Sequence, residues 1–347
     1  MTAAADVVVV GAGVVGLTTA ISLAEAGLST RVAAAEPPAR TTSVAAGAIW
    51  GPVLCGPDDR CYEWSRTGLS VLGDLADDGE PAGVHQISGR EVATGVASPP
   101  RWADLLPDLR ILGPDELPSG FASGWFYTAP AVVMPVYLEY LLNRYAGLGG
   151  RVDIETVGSL AAVDAPVVVN CTGIGARALV PDPAVVPVRG QVVVVENPGI
   201  SEFYIDHGLR GTDYVYAFPH RDVVILGGTS EADAVDLPPR PAVSERILRD
   251  CAAVFPRLRG ARVVAERVGL RPYRPAVRLE SEPLGGGRVL WHNYGHGGAG
   301  VTLSWGCARE LTAGVLAQDT VLAQDTVLAQ ETVLAQEIAT SPDSSIV

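Results

Sequence analysis

The stretch Asp6-Val-Val-Val-Val-Gly11-Ala-Gly13-Val-Val-Gly16, running on through Leu17–Ala26 to Gly27, decides the fold. Residues 6–10 are almost wholly apolar, and the alanines and leucines of Leu17–Ala26 suit a helix closed by Gly27, so the pattern predicts strand, glycine turn and helix. A second strand, Thr30–Ala35, ends in Glu36, 20 residues after Gly16. Glycines at this spacing permit a tight turn, close approach of backbone to a pyrophosphate and close packing of helix on strand, while the acid accepts hydrogen bonds from a ribose diol. The residues point to a dinucleotide at a helix N-terminus, and Glu36 disfavours the 2′-phosphate of NADP by like charge.

At 347 residues the chain is long enough for about two domains. With 48% hydrophobic and 18% charged residues it reads as a soluble globular enzyme. A net charge of −14 argues against nucleic acid or an anionic membrane surface as a partner. No apolar run is long enough to span a bilayer. All 25 basic residues are arginine, which excludes Schiff-base chemistry, pyridoxal phosphate and a Walker-type phosphate loop. The five cysteines lack Cys-x-x-Cys spacing, so no metal site is expected; a Cys55–Cys61 disulfide stays open. Met1–Ala5 has no basic flank and the C-terminus is not a peroxisomal Ser-Lys-Leu, so the default location is the cytoplasm.

Thr41-Thr-Ser-Val-Ala-Ala-Gly47-Ala48-Ile-Trp50 is a run of small and hydroxylated residues that makes a poor core but lets a chain lie along a ligand. A second glycine-rich region lies near the other end. In Val-Gly-Leu-Arg271-Pro-Tyr-Arg-Pro-Ala-Val-Arg-Leu-Glu280, Pro272 and Pro275 exclude helix and hold extended backbone around Arg271, Arg274 and Arg278. A short strand, Val289–Trp291, then leads into His292-Asn-Tyr-Gly-His-Gly-Gly-Ala-Gly300 and a helix predicted over Val301–Leu316. Gly297, Gly298 and Gly300 allow backbone to approach a flat ligand, and the helix behind them offers unpaired N–H groups to negative charge.

Gly-Leu-Arg-Pro-x-Arg-Pro-x-x-Arg-Leu-Glu, followed by His-Asn-Tyr-Gly-His-Gly-Gly-x-Gly-x-Thr302 and Trp305-Gly-Cys-Ala308, resembles the C-terminal half of the D-amino-acid oxidase family of FAD enzymes. The resemblance implies an α/β fold: a Rossmann-like FAD-binding domain interleaved with an α+β substrate domain on a mixed, largely antiparallel sheet. The expected division assigns 1–52, 133–180 and 270–347 to the FAD domain and 53–132 with 181–269 to the substrate domain. It implies FAD contacts at Ala12, Gly13, Val14, Val15, Gly16, Glu36, Pro37, Thr41, Thr42, Ala46, Gly47, Ala48, Val157, Thr172, Arg271, Gly297, Gly298, Gly300, Val301 and Thr302.

By the same resemblance, the reaction is hydride transfer from the Cα of a neutral D-amino acid to flavin N5. The imino acid formed hydrolyses to a 2-oxo acid and ammonia, and O₂ reoxidises the flavin to give H₂O₂. Arg271 would clamp the substrate carboxylate, Tyr216 would donate to it, and the Gly298 carbonyl would accept from the amine. Trp50 and Tyr214 are further substrate-contact candidates. His292 and His296 are read as structural hydrogen-bonders rather than bases.

The sequence departs from the family in the loop His207–Asp213, about two residues shorter than the mammalian substrate lid, so the lid tyrosine has no clear counterpart; its position falls near Thr212. D-aspartate oxidases carry an arginine shortly after Leu-Gly-Gly-Thr where this chain has Ser230, although Arg210 offers a substitute. Three alternatives stay open: a D-aspartate oxidase, a glycine or secondary-amine oxidase, and a flavin- or NAD-binding module without turnover.

Between these motifs, Val53–Pro130 shows scattered prolines and no second glycine fingerprint, with Trp64, Trp102 and Trp125 read as core or interface aromatics. A helix is expected over Val133–Tyr145, and strands over Arg151–Val157 and Pro166–Asn170. Antiparallel strands are expected over Arg189–Glu196, Phe203–Ile205, Asp213–Phe218 and Val223–Gly228. Alternation places Tyr214, Tyr216 and Phe218 on one face. The tail repeats Val-Leu-Ala-Gln-Asp/Glu four times at a six-residue period over 315–338. Each copy turns by about 240°, so its apolar residues hold no single stripe, and the tail reads as a helical or frayed extension rather than a coiled coil. The oligomeric state is not legible; a homodimer stays open.

Overall fold

Four valines in succession form the first strand, β1 (Val7–Val10), and all four are buried because neighbouring strands flank it, helices cover one face, and Leu160, Val163 and Ala165 cover the other. The computed structural model describes residues 5–52, 59–207 and 214–318. In chain order β1 is followed by α1 (Val14–Glu25), β2 (Thr30–Ala34), α2 (Asp59–Asp77), β3 (Val84–Ala93), β4 (Arg110–Ile111) and β5 (Ser123–Val132). Next come α3 (Met134–Gly147), β6 (Val152–Ile154), β7 (Val167–Asn170), α4 (Ala176–Leu179), β8 (Val186–Glu196), β9 (Phe203–His207) and β10 (Val215–Pro219). The last are β11 (Val223–Gly227), β12 (Glu231–Ala232), α5 (Pro241–Val254), β13 (Val263–Gly285), β14 (Arg288–His296) and a helix over 300–318, α6.

The strands join in one sheet of order β4-β5-β3-β9-β10-β11-β8-β13-β14-β7-β1-β2-β6, with β12 pairing β8. From β14 to β6 the pairing is parallel, as βα crossovers require. From β9 to β14 it is antiparallel, and β3 pairs parallel to β9 and antiparallel to β5. The mixed α/β architecture expected from the sequence is present. β13 hydrogen-bonds to β8 through residues 263–273 and to β14 through residues 273–285, with a register shift between Tyr273 and Arg278. Pro275 sits in that shift, and Pro272 faces Pro187, so no ladder hydrogen bond is lost to either proline.

The helix expected over 133–145, the strand–turn–helix at the N-terminus and the short strands named above all form, with ends displaced by a few residues. α2 was not anticipated. Its buried face is Cys61, Trp64, Ser65, Gly68, Leu72 and Leu75, and the small polar members break the apolar period. They are small because α6 crosses them closely: a Cβ on Gly68 would lie 1.9 Å from the Thr302 carbonyl oxygen, and one on Gly306 would lie 2.3 Å from the Trp64 Cα. Trp64 and Trp125 are core residues, and Trp102 packs edge-on to Trp50 and Tyr127. α5 closes a smaller core over β8, β10 and β11 around Val193, Val195, Ala217, Leu226 and Ile247.

Cys171, Cys251 and Cys307 are buried and outside any disulfide; the Cys55–Cys61 pairing involves Cys55, which lies outside the described residues together with Arg210, Thr212 and most of the repeat tail. Among the described residues no helix is long and apolar enough to cross a membrane, and no cluster of three or more His, Cys, Asp or Glu is arranged for a metal ion.

The α2–α6 crossing leaves no room for a methyl group. Gly306→Ala is expected to destabilise the fold by about 1–3 kcal/mol, read as a lowered urea midpoint at unchanged slope.

Candidate functional site: a cavity between the two glycine-rich segments

A cavity of about 630 Å³ lies between the parallel and antiparallel halves of the sheet. This is within the usual range for ligand pockets. One end is the β1–α1 turn. Gly11 adopts φ +115°, and a Cβ there would meet the Cys171 carbonyl oxygen at 2.5 Å, so only glycine turns the chain at this point. A Cβ on Gly16 would lie 1.9 Å from the Gly11 carbonyl oxygen, which explains its buried place beneath the turn rather than on the wall. The α1 N-cap is Gly13, with no side-chain cap and no acid in the first turn, so the helix end meets the cavity with positive potential. The Val14 N–H donates to Ser43 Oγ at 3.0 Å.

Of the residues singled out from sequence, Ala12, Gly13, Val14, Val15, Glu36, Thr41, Thr42, Ala46, Gly47, Val157, Thr172, Tyr216, Arg271, Gly297, Gly298, Gly300 and Val301 line this one cavity. Gly16, Pro37, Ala48, Trp50, Tyr214 and Thr302 do not. Pro37 caps the turn Pro38–Arg40, and the Ala48 carbonyl accepts from the Val132 N–H. Trp50 is fully buried and its indole donates to the Ser65 carbonyl at 3.0 Å. Thr302 Oγ1 donates to the Gly51 carbonyl at 3.0 Å and accepts from its N–H, tying α6 to the chain after Trp50. Tyr214 precedes β10 and meets His207 edge-on, whereas Tyr216 and Phe218 stack at 4.7 Å.

The far end is organised by Arg271. Its guanidinium lies on Gly190, where a Cβ would sit 2.2 Å from Nη1, and Nη1 donates to the Thr229 carbonyl at 3.0 Å. The Tyr216 ring covers Gly227 and Gly228; a Cβ on Gly227 would be 2.0 Å from Cζ. Burial raises the Tyr216 phenol above its ordinary range, and the neighbouring Arg271 charge opposes this only in part, so the phenol stays protonated and able to donate. Burial also pushes the Cys171 thiol on the wall up to about 12, which removes it as a nucleophile near neutrality.

Arg274 and Arg278 point elsewhere. Arg274 pairs with Asp182 at 3.0 Å, Asp182 accepts from the Tyr294 hydroxyl, and that hydroxyl accepts from Arg278 at 2.9 Å, which braces the strand before Gly297. His292 Nδ1 lies 3.4 Å from the Asn170 amide, in keeping with a structural role. His296 lines the cavity but its Nε2 finds no partner, and burial lowers it to about 4; it is neutral at physiological pH. Sequence reading passed over Arg40, Ser43, Gly190, Val192 and Asn293 on the wall. Ser43 had a signal, as the third hydroxyl of its run. Gly190 had none, because its smallness matters only once Arg271 crosses it.

Residues 6–313 match the family model described as FAD dependent oxidoreductase. The chain belongs to the D-amino-acid oxidase family of FAD dependent oxidoreductases. It is 46% identical over 312 residues to the D-amino-acid oxidase of Rubrobacter xylanophilus, covering 89% of this chain and 95% of that one. It is 47% identical over 306 residues to that of Streptomyces coelicolor (88% and 95%), and 36% identical over 323 residues to human D-aspartate oxidase (88% and 93%). Glycine oxidase from Geobacillus kaustophilus shares the fold at a TM-score of 0.75 and 20% identity, over 91% of this chain and 95% of the other. The cavity fits the family's cofactor: glycines admit a pyrophosphate at α1, Glu36 stands after β2, and Gly47, Gly297 and Gly298 line the same cavity.

Buried histidines set an acid limit on the fold. Burial lowers His220 and His296 to about 4, so below the unfolded value near 6.5 the unfolded chain binds protons that the native state refuses. Stability from these two is complete above about 6.5 and falls by about 1.4 kcal/mol per pH unit per group as pH drops towards 4. His207 opposes them: burial lowers it, but the hydrogen bond and charge of Glu91 prevail and raise it, adding stability that is lost as pH rises through its folded value. Net, the urea midpoint is expected to be lower at about pH 5 than at pH 7.5, and His220→Leu to flatten the difference.

Proposed function

We propose that this chain oxidatively deaminates neutral D-amino acids with FAD as cofactor. The observation that carries the reading is the placing of the Arg271 guanidinium beside the partly buried Tyr216 on the wall shared with Gly298. Arg271 binds the substrate carboxylate, each charged hydrogen bond contributing roughly 1.5–3 kcal/mol, and Tyr216 donates a further one. The Gly298 carbonyl accepts from the unprotonated amine, which turns Cα–H towards the cofactor. FAD would supply the hydride acceptor for Cα–H and the route by which the two electrons reduce O₂ to H₂O₂. Ala12 to Val15 would hold its pyrophosphate and Glu36 its ribose, while Gly47 and Gly297 would border its ring.

No side chain of the protein needs to take the Cα proton, and neutral, buried His296 is unsuited to do so. Orientation supplies the rate. The imino acid leaves and hydrolyses to a 2-oxo acid and ammonia. Among the described residues lining the cavity the only cations besides Arg271 is Arg40, which pairs with Glu36 at the opposite end, while Val192 and Leu270 beside Arg271 are apolar. This favours neutral side chains over D-aspartate. We assign the interrupted division given above, with 1–52, 133–180 and 270–347 as the FAD domain, to the same reading, together with a cytoplasmic location.

Anaerobic titration with D-alanine, D-phenylalanine, D-aspartate and their L forms, followed by flavin absorbance, tests the function. Bleaching by neutral D forms is the expected outcome; bleaching by D-aspartate alone would establish the dicarboxylate reading instead. Arg271→Ala is expected to raise KM for D-amino acids on the order of 100-fold with FAD still bound, and an unchanged KM would remove the clamp.

A further inference from the structure

β8 carries two unlike faces. Gly190 and Val192 line the cavity, while the alternating Arg189 and Gln191, both fully buried, face the side covered by α5. Arg189 spends its donors on one segment: Nε to the Asp236 carbonyl at 2.8 Å, Nη1 to Glu231 at 3.1 Å, and Nη2 to the Pro238 carbonyl at 2.9 Å and to Gln191 Oε1 at 3.0 Å. Gln191 in turn accepts from the Arg240 N–H and donates to Ser244 Oγ at 2.8 Å. A buried guanidinium so fully paired holds residues 231–240 in one place, since any shift strands a buried charge.

Two residues before that segment stands Thr229, itself buried and held at two points. Its hydroxyl accepts from the Gln191 N–H at 2.9 Å, and its carbonyl accepts from Arg271 Nη1 at 3.0 Å. Fixing one N–H of Arg271 over the Gly190 backbone, together with its hydrogen bond to Tyr216, sets the plane of the guanidinium that faces the cavity. We propose that Thr229 is a positioning residue for Arg271, locked from the opposite face of the sheet by Gln191 and Arg189. The inference rests on the functional reading above in taking Arg271 as the carboxylate clamp.

The handle is the hydroxyl, because a main-chain carbonyl cannot be substituted. KM and kcat for D-alanine, the dissociation constant of pyruvate and FAD retention are measured on the holoenzyme for wild type, Thr229→Val and Thr229→Ser. Pyruvate presents the carboxylate without the reacting C–H, so it reads the clamp independently of turnover. Thr229→Val is expected to weaken both D-alanine KM and pyruvate binding about tenfold, with kcat and FAD retention changed by less than about twofold, and Thr229→Ser to restore both. Unchanged carboxylate binding in Thr229→Val, equal loss in Thr229→Ser, or a loss confined to FAD retention would each overturn the proposal. Should Thr229→Val fail to fold, Arg189→Lys takes its place under the same criteria. Wild-type turnover of D-alanine tests the functional reading alone, and the Val-against-Ser comparison tests the positioning alone.

Discussion

The structure depends on one strand. β13 runs 23 residues, and its two ends hydrogen-bond to different partners, β8 in the antiparallel half and β14 in the half that continues into the parallel strands. The cavity lies where these halves meet along β13. Arg271 stands near the change of partner, which is why a residue of the antiparallel sheet can reach a ligand seated on the β1–α1 turn. The prolines that exclude helix from this stretch sit at the two places where a ladder hydrogen bond is not required, so a sequence that looks unsuited to a sheet interior costs it little.

Close backbone contact is the second recurring device. Gly11 and Gly16 bring turn and helix together, Gly68 and Gly306 let α2 and α6 cross, and Gly190 and Gly227 give the flat faces on which Arg271 and Tyr216 lie. In each case the missing Cβ lets a neighbouring group occupy its space. A side chain at any of these positions would displace either the core or the site, so packing and ligand geometry are not separable here. The charges follow the same economy: buried Arg189 is paired throughout, while Arg271, held by the Thr229 carbonyl and Tyr216, has no acidic hydrogen-bond partner among the described residues and faces the cavity.

Some elements were legible and others were not, for reasons visible in particular residues. The valines of β1, the glycines after them and Glu36 act locally, through turn geometry and strand propensity, and they fold as the sequence predicts. α2 escaped notice because Ser65 and Gly68 occupy positions where an apolar period would carry leucine, and only the crossing helix makes small residues the right ones. Trp50, a candidate for the pocket, lies in the core against Trp102, because the chain turns there to pair Ile49 with Ala131. Ser43 and Gly190 came to light only through their partners.

What the sequence by itself determined is whatever short-range chemistry encodes: a nucleotide-binding strand, turn and helix, an arginine on stiff extended backbone, a glycine loop leading into a helix, and a family likeness carried by these motifs. Only the tertiary structure decided which distant residues share a wall, that Arg271 rests on Gly190 and bonds to Thr229, and that Arg189 secures this contact from behind the sheet. The physical reason is that such contacts are made across the sheet between residues about 40 to 80 positions apart, and no local periodicity records which strand will lie beside which.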